Sequence, residues 1–454
     1  MNPKRILAGV LFAAAAGLAA HWGGLSEPIV ATIAITALTA FWWVSEALPI
    51  PATSLVPFAL FPIAGVLDQR QAAEALGSYV IVLLMASFML SKALERSGAH
   101  ERLALYMINL VGGSGRRLVI GFMLAAALLS MWISNTATTL MLATMALAIL
   151  SRTDDPKLGP ALLLGIAYAS SFGGTATLIG TPPNLIFAEN YLLATGEEFS
   201  FVRWMSIGVP IVAVGTPLMA LWLTRSLGGV KTPALADPGP WRKDERRTLI
   251  VFAIAIFLWI TRTEPFGGWS GVLGMAGAGD STVAVFAVVL MFLVPNGKGG
   301  ALLDWKAAGD IPWGMLLLFA GGICIASAFR ASGLDALIGE ELSGLANAPV
   351  FVMMLGLCLV VTFLTELTSN TATANLLMPL LAAVAAGAGV KPELLMIPAV
   401  ISCSCAFMLP VATAPNAIIY GTGRVSMAQM AREGAALNII IALVVAGLCW
   451  AMLR

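Results

Sequence analysis

Two copies of a Ser-Asn-Thr tripeptide lie inside long apolar stretches of this sequence. The copies are Ser134-Asn135-Thr136 and Ser369-Asn370-Thr371. Their hydroxyls and amides need hydrogen-bond partners that hydrocarbon does not supply. Neutral oxygens suit a hard cation, whereas hydroxyl, amide and helix N-terminal N–H groups suit a carboxylate. The repetition therefore predicts a polar site assembled from two equivalent halves.

A second repeated element follows each tripeptide and interrupts an apolar segment. The two copies are Thr181-Pro182-Pro183-Asn184 and Thr413-Ala414-Pro415-Asn416. Proline removes backbone donors and the nearby glycines permit non-helical dihedrals, so a broken helix is expected. In lipid, unwound backbone survives only against protein or a water-filled cavity. The alternative is close packing of small residues around proline kinks, but the matching order of both motifs favours a binding site.

The composition restricts the class of protein. The chain has 454 residues, of which 59% are hydrophobic and 11% charged, against roughly 25% charged residues in soluble domains. A polytopic membrane protein is predicted. The net charge of +1 gives no bulk attraction to nucleic acid. No phosphate-binding loop, catalytic carboxylate pair or Ser/His/Asp set is present, so an intramembrane enzyme is disfavoured.

Hydropathy predicts an all-α fold with about 11 transmembrane helices and two re-entrant helical hairpins. The predicted spans cover residues 5–22, 28–47, 50–67, 78–97, 160–190, 204–225, 246–262, 280–295, 311–331, 393–422 and 434–452. The hairpins cover residues 117–150 and 349–387, and spans 160–190 and 393–422 are broken. The first span is expected to be a retained helix rather than a cleaved signal peptide.

The two halves of the chain repeat these elements in the same order. The offset is ~235 residues between the Ser-Asn-Thr motifs and ~232 between the Thr-x-Pro-Asn elements, which predicts an internal repeat. Each repeat has five spans and one hairpin, which is an odd number of crossings, so the second repeat is predicted to be inverted relative to the first. With re-entrant hairpins, every Lys/Arg cluster falls on one side, which the positive-inside rule makes cytoplasmic. The N-terminus is then cytoplasmic and Arg454 external.

Three further polar residues adjoin the tripeptides. Ser130 and Thr365 precede Ser134 and Ser369 by one helical turn, and each can lend a hydroxyl to the same tip. Glu366 is an intramembrane carboxylate. It is either a functional acid or a capped, hydrogen-bonded structural acid at the hairpin end.

These motifs resemble the divalent anion/sodium symporter family of INDY-like dicarboxylate transporters, over nearly the whole chain. The resemblance implies a homodimer in the bacterial inner membrane that works by an elevator mechanism and has no organic cofactor. It implies a scaffold of residues 1–115 and 246–348, a transport domain of residues 116–228 and 349–454, and a cytoplasmic linker at residues 229–245. Membrane lipid, sodium and a small dicarboxylate are the implied partners.

The resemblance also implies roles for individual residues. Ten residues would border the substrate: Ser134, Asn135, Thr136, Thr181, Pro182, Ser369, Asn370, Thr371, Thr413 and Ala414. One sodium would lie among Ser130, Ser134, Asn135 and the Gly180 carbonyl. The second would lie among Thr365, Asn370 and the carbonyls of Thr368 and Ala412.

The expected function is sodium-coupled symport of a C4-dicarboxylate such as succinate, malate or fumarate. The alternatives are a sodium-independent dicarboxylate exchanger and a carrier of another divalent anion such as sulfate. Ala414 departs from the proline that the family commonly has at this position, and this departure bears on specificity and loop rigidity.

Overall fold

A computed structural model of the chain describes residues 3–112, 115–152, 155–227, 239–264, 266–275, 277–341 and 349–454. Within these ranges the regular structure is helical, apart from an isolated β-bridge between Pro295 and Ala301. Helices satisfy their own backbone hydrogen bonds, which is what a lipid environment requires. The all-α prediction is confirmed.

The described residues of the first half contain twelve α-helices. They are α1 (Pro3–Trp22), α2 (Glu27–Ser45), α3 (Ile50–Thr53), α4 (Val56–Ile63), α5 (Gln69–Glu74), α6 (Tyr79–Ser97), α7 (Ala99–Val111), α8 (Gly115–Ser130), α9 (Asn135–Leu150), α10 (Leu158–Gly173), α11 (Pro182–Thr195) and α12 (Phe201–Thr224). A 3-10 turn at Gly174–Ala176 follows α10.

The described residues of the second half contain eleven more. They are α13 (Lys243–Ile260), α14 (Gly268–Val272), α15 (Asp280–Leu293), α16 (Trp305–Gly309), α17 (Trp313–Ser332), α18 (Leu334–Glu341), α19 (Val350–Thr365), α20 (Asn370–Ala388), α21 (Glu393–Cys403), α22 (Ala414–Gly421) and α23 (Met427–Leu453).

Seven helical segments in the described part are long and apolar enough to cross a membrane. One of them is α20, an arm of the second predicted hairpin, and several other predicted spans are shorter helices. The span predicted at 50–67 divides into α3 and α4 because Pro51 and Pro57 each begin a new helical turn. The polytopic membrane character is confirmed.

The hairpins and the broken spans form where they were predicted. Residues 131–134 join α8 to α9, and residues 366–369 join α19 to α20. The first broken span separates into α10 and α11, and the second into α21 and α22. Residues 229–238 of the predicted linker at 229–245 lie outside the described residues. Helix α13 begins at Lys243, within the last part of the predicted linker.

The equivalent helices of the two halves pack crosswise. Helix α9 of the first hairpin contacts α22 of the second broken span, and α20 of the second hairpin contacts α11 of the first. Helices α12 and α23, which follow the broken spans, contact each other. Each half therefore completes the packing of the other, and all four interruptions are brought towards one centre.

Basic residues from separate parts of the chain meet at common contacts. Arg116 Nε donates to the Leu227 carbonyl at 2.9 Å, and Arg225 pairs with Glu433 at 2.8 Å. Lys298 Nζ lies 2.6 Å from Asp244 Oδ2. These contacts join segments that the charge pattern predicts to lie on the same side of the membrane.

Candidate functional site

Each Ser-Asn-Thr motif forms the start of an α-helix at a hairpin tip. Ser134 caps α9, and its Oγ accepts a hydrogen bond from Ala137 N at 3.2 Å. Ser369 holds the same cap position before α20 in extended conformation. The first N–H groups of a helix have no partner within it, so both tips present donors to an anion.

The two broken spans have the same backbone geometry at their second half-helix. Thr181 precedes α11 with φ −143° and ψ 140°, and Thr413 precedes α22 with φ −141° and ψ 151°. Pro182 is therefore matched in backbone context by Ala414. The loss of one proline leaves the conformation of Thr413 unchanged, because Thr413 Oγ1 accepts from Asn416 N at 3.2 Å and holds the turn.

The asparagines of the Thr-x-Pro-Asn elements hold the unwound segments. Asn184 Nδ2 donates to the Thr177 carbonyl at 2.7 Å, with Gly174 and Thr175 carbonyls at 3.3 and 3.4 Å. Asn416 Nδ2 donates to the carbonyls of Ala406 and Leu409, both at 3.0 Å. Their amides replace the backbone donors that the broken helix lacks.

Glu366 has a structural role in the second unwound segment. Its Oε1 accepts hydrogen bonds from the backbone N–H groups of Phe407 at 2.7 Å and Met408 at 2.8 Å. Its Oε2 accepts from Leu409 N at 3.0 Å, and Asn438 Nδ2 donates to Oε1 at 2.8 Å. Four donors satisfy this buried carboxylate, which favours the structural alternative for Glu366.

One cavity of about 380 Å³ lies between the two hairpin tips and the two broken spans. All ten residues predicted to border the substrate line it: Ser134, Asn135, Thr136, Thr181, Pro182, Ser369, Asn370, Thr371, Thr413 and Ala414. Motifs about 235 positions apart in sequence thus share one space, as the repeat requires. Their role in binding stays a prediction.

The lining of this cavity carries no charged side chain among the described residues. Its polar groups are hydroxyls, amides and backbone atoms at helix starts. A carboxylate held here would therefore meet neutral donors only. A bound dianion needs compensating positive charge, which the lining does not provide.

A cluster of oxygen atoms lies beside the first tip. Asn135 Oδ1 faces Ser130 Oγ and the carbonyl oxygens of Ser170 and Gly180, at 3.2 and 3.3 Å from the carbonyls. A 180° rotation of the amide would turn its NH₂ towards all three oxygens. When the amide oxygen points inward, the cluster consists of neutral oxygen ligands of the kind that bind a hard cation.

Glycines make this cluster possible. A Cβ on Gly174 would lie 2.8 Å from both Asn135 Oδ1 and the Gly180 carbonyl oxygen, and a Cβ on Gly180 would overlap the Gly174 carbonyl. The two backbone segments approach each other only because neither residue has a side chain. The predicted contribution of the Gly180 carbonyl fits this geometry.

The second tip repeats the arrangement with differences. Thr365 Oγ1 lies 2.7 Å from Asn370 Oδ1 and 3.0 Å from the Cys403 carbonyl. Ala412 lines the cavity. The Thr368 hydroxyl is used elsewhere, at 3.0 Å from the Leu364 carbonyl and 2.6 Å from Thr373 Oγ1. The carbonyls of Ser170 and Cys403 were not predicted, although each lies just before a helix break.

Helices α6 and α17 supply a wall that sequence reasoning missed. Four residues of α6 line the cavity: Leu84, Ser87, Phe88 and Ser91. Their spacing of i, i+3, i+4 and i+7 marks one helix face. Pro312 and Met315, at the start of α17, complete the wall. Isolated serines in an apolar helix look like packing residues in the sequence, so only the periodicity could have identified this face.

A polar cavity formed by interrupted helices of two repeats is the architecture of a secondary transporter. Residues 40–395 match the family described as "Citrate transporter" (CitMHS), and the chain belongs to this family of membrane transporters. It is therefore a transporter and not an enzyme.

Relatives of known name agree with this assignment. The chain is 40% identical over 446 residues to the sodium-dependent dicarboxylate transporter SdcS of Staphylococcus saprophyticus, covering 93% of this chain and 85% of that protein. It is 38% identical over 438 residues to SdcS of Staphylococcus aureus, covering 91% and 84%. The resemblance to the divalent anion/sodium symporters is confirmed.

A solved structure shares the fold. The crystal structure of the YdaH transporter of Alcanivorax borkumensis, described as having an unusual topology, superposes with a TM-score of 0.63. The match covers 94% of this chain and 98% of that one at 16% identity.

Proposed function

We propose that this chain couples sodium movement to the uptake of a C4-dicarboxylate such as succinate, malate or fumarate. The observation that carries the proposal is the uncharged cavity shared by both Ser-Asn-Thr tips, with an oxygen cluster beside each tip. The names of the SdcS relatives, sodium-dependent dicarboxylate transporters, support the proposal of sodium as the coupled ion and a dicarboxylate as the substrate.

The proposed coupling follows from charge balance. A dianion entering the cavity finds neutral hydroxyls, amides and helix N-termini, which bind carboxylates but do not neutralise two charges. Sodium ions at the Asn135 and Asn370 clusters supply that charge within the same tips. Ion binding orders the tips, and the ordered tips then present their donors to the substrate. Substrate affinity should therefore depend on sodium.

We assign one carboxylate to each tip. The first lies against Ser134, Asn135 and Thr136, and the second against Ser369, Asn370 and Thr371, with the remaining predicted residues beside them. The first sodium is held by Ser130, Ser134, Asn135 and the Gly180 carbonyl. The second is held by Thr365, Asn370 and the carbonyls of Thr368 and Ala412.

We further propose an elevator movement of a transport domain (116–228 and 349–454) against a scaffold (1–115 and 246–348). The cavity lies at this boundary, because α6 and α17 wall it on one side and the hairpin tips on the other. A homodimer formed through the scaffold follows from the family resemblance. The dimer can be tested by cross-linking in native membranes.

The proposed location is the bacterial plasma membrane, with the N-terminus cytoplasmic and Arg454 external. The contacts of Arg116, Arg225 and Lys298 support a single basic face. Residues Glu198, Arg262 and Asp280 form a separate ionic cluster, which the same topology places outside.

Succinate uptake into proteoliposomes, with and without an inward sodium gradient, tests the function. We expect sodium to drive uptake in the wild type. Asn135→Ala and Asn370→Ala should each lower uptake by about tenfold or more, because each removes an amide that the proposed sodium and substrate sites require. Thr144→Ala is the control, because Thr144 is exposed on the same hairpin and its hydroxyl donates to the Met141 carbonyl of its own helix.

Other outcomes separate the alternatives. Uptake that needs internal dicarboxylate and ignores sodium would favour an exchanger. Competition by sulfate but not by fumarate or malate would favour another divalent anion. Normal sodium-driven uptake by both asparagine variants would refute the proposed site.

A further inference from the structure

The wall formed by α6 lines the same cavity as both hairpin tips. If each tip holds one carboxylate, as proposed above, the carbon chain between the carboxylates crosses the space in front of this wall. Leu84, Ser87, Phe88 and Ser91 line the cavity but belong to neither tip, so they are then left to contact the carbon chain. The tips bind the two carboxylates, which all dicarboxylates have, and the wall contacts the carbon chain, in which dicarboxylates differ.

Ser91 carries a buried hydroxyl on this face of α6. The residue is 5% exposed, and its Oγ has no hydrogen-bond partner among the described residues. Ser87, one turn earlier on the same face, instead donates to the Leu83 carbonyl at 2.7 Å. A buried hydroxyl without a partner is destabilising, so a ligand that forms a hydrogen bond with it gains affinity.

The repeat shows that the fold does not require this hydroxyl. The offset of 235 positions that relates the two Ser-Asn-Thr motifs also relates Ser97-Gly98 to Ser332-Gly333. It places Ala326 of α17 at the position equivalent to Ser91. Ala326 is buried without a polar group, so a helix of this kind packs well with a methyl group there.

The wall offers no partner for a further charge. Its other members are apolar or already hydrogen-bonded, and the neighbouring Lys92 pairs with Glu95 at 3.3 Å and Asp310 at 3.8 Å instead of lining the cavity. A third carboxylate directed at this wall would be desolvated without a counter-charge, which is costly.

We propose that this face of α6 determines which dicarboxylates are carried. Ser91 hydrogen-bonds a hydroxyl on the carbon chain between the two carboxylates, and the uncharged wall rejects a third carboxylate. This inference rests on the proposed function. Malate, which has such a hydroxyl, then gains a hydrogen bond that succinate lacks. Citrate, which has a third carboxylate, is excluded, although the matching family is described as "Citrate transporter".

The first test compares malate and succinate in sodium-driven proteoliposome uptake by wild type, Ser91→Ala and Ser91→Thr. Ser91→Ala should raise the KM for malate about three- to tenfold relative to the KM for succinate, the range of one neutral hydrogen bond. Ser91→Thr keeps the hydroxyl and should restore the ratio. Ser206→Ala is the matched control and should leave the ratio within about twofold, because Ser206 is exposed on α12 and does not line the cavity.

A change in both KM values by the same factor in Ser91→Ala, or no change in the ratio, would refute the role of Ser91. The second test measures inhibition of wild-type succinate uptake at slightly alkaline pH. Citrate should compete at least about tenfold less strongly than malate, and equal competition would refute the exclusion of a third carboxylate. Absence of sodium-driven succinate uptake in the wild type would instead refute the proposed function itself.

Discussion

Asn135 and Asn370 carry the same amide at equivalent points of the two hairpins, and each lies beside a hydroxyl five residues earlier, on Ser130 and Thr365 respectively. Each hydroxyl can donate to its neighbouring amide oxygen, and at Asn135 a rotated amide would donate to the surrounding oxygens instead. At the scale of single residues, the site is therefore a set of neutral oxygens whose orientation depends on what they bind.

Glu366 illustrates a different use of a polar residue in the same region. Its carboxylate replaces the helical acceptors that Phe407, Met408 and Leu409 lost when the helix unwound. In the first repeat, Met131 holds the equivalent position, and Thr177 Oγ1 donates to the Met131 carbonyl at 2.6 Å. The two unwound segments are thus supported by different chemistry, which explains why the sequence left the role of Glu366 open.

We predict that Glu366→Gln lowers stability more than it lowers sodium affinity. Glutamine keeps one acceptor oxygen but turns an NH₂ group towards backbone donors, so at least one buried N–H loses its partner, at a cost of about 1–3 kcal/mol. Thermal unfolding of the purified protein should shift to lower temperature. Glu101→Gln is the control, since Glu101 is exposed on α7. A normal unfolding midpoint with lost sodium dependence would instead indicate a functional acid.

Residues that the sequence identified share one property, namely repetition. The Ser-Asn-Thr and Thr-x-Pro-Asn motifs stand out because polar or helix-breaking residues recur in matching order. Ser91 and the Cys403 carbonyl have no such signal. Lone serines are common packing residues in membrane helices, and a backbone carbonyl carries no identity in the sequence.

At the scale of elements, helix breaks were predictable because their causes are local. Gly173, Gly174 and Pro182 end α10 and begin α11 where expected. The short helices α5, α14, α16 and α18 were not predicted, because they are too short for a hydropathy window. The crosswise packing of α9 with α22 and of α11 with α20 depends on long-range contacts that no local pattern encodes.

We predict that Ala414→Pro folds normally. Thr413 has the extended conformation that a residue before proline prefers, and it matches Thr181 before Pro182. Proline at the first helical position loses no internal hydrogen bond and reduces the freedom of the unfolded chain, so stability should rise by up to about 1 kcal/mol. Thermal unfolding checks this expectation, and a large destabilisation would show that the two loops differ.

The same variant reports on the substrate site. Position 414 lines the cavity, and proline there removes one N–H and adds ring atoms. A stable variant with a changed KM for succinate would place Ala414 against the substrate. An unchanged KM for succinate would mean that having Ala414 in place of the family's proline affects the loop and not the substrate site.

At the scale of the whole molecule, several contacts cross the proposed boundary between scaffold and transport domain, among them those of α6 with α11 and of α17 with α20. Ser78 Oγ, before α6, donates to Glu189 Oε2 on α11 at 2.7 Å. Gly322 on α17 lies against Asn375 on α20, whose Nδ2 contacts the Leu318 carbonyl at 3.3 Å. An elevator movement must break such contacts, so they exist in one state of the transport cycle only.

Gly322→Ala tests whether this close approach belongs to the cycle. A Cβ at Gly322 would overlap the Asn375 amide, so the added methyl group disfavours the arrangement of α17 against α20 described here. Because neither residue lines the cavity between the tips, we predict that the rate of sodium-driven succinate uptake falls about fivefold or more while the protein remains folded and still binds succinate. Uptake rates in proteoliposomes and binding in detergent measure the two effects separately.

Gly356→Ala is the matched control for this variant, because a Cβ on Gly356 would meet no atom of the described residues within 4 Å. It carries the same substitution in another helix of the second half, α19, and should transport at the wild-type rate. Wild-type uptake by Gly322→Ala as well would mean that α17 and α20 separate or adjust without cost, and the boundary between the moving and stationary parts would then have to lie elsewhere. Loss of binding together with uptake would show that the contact supports the site and not the movement.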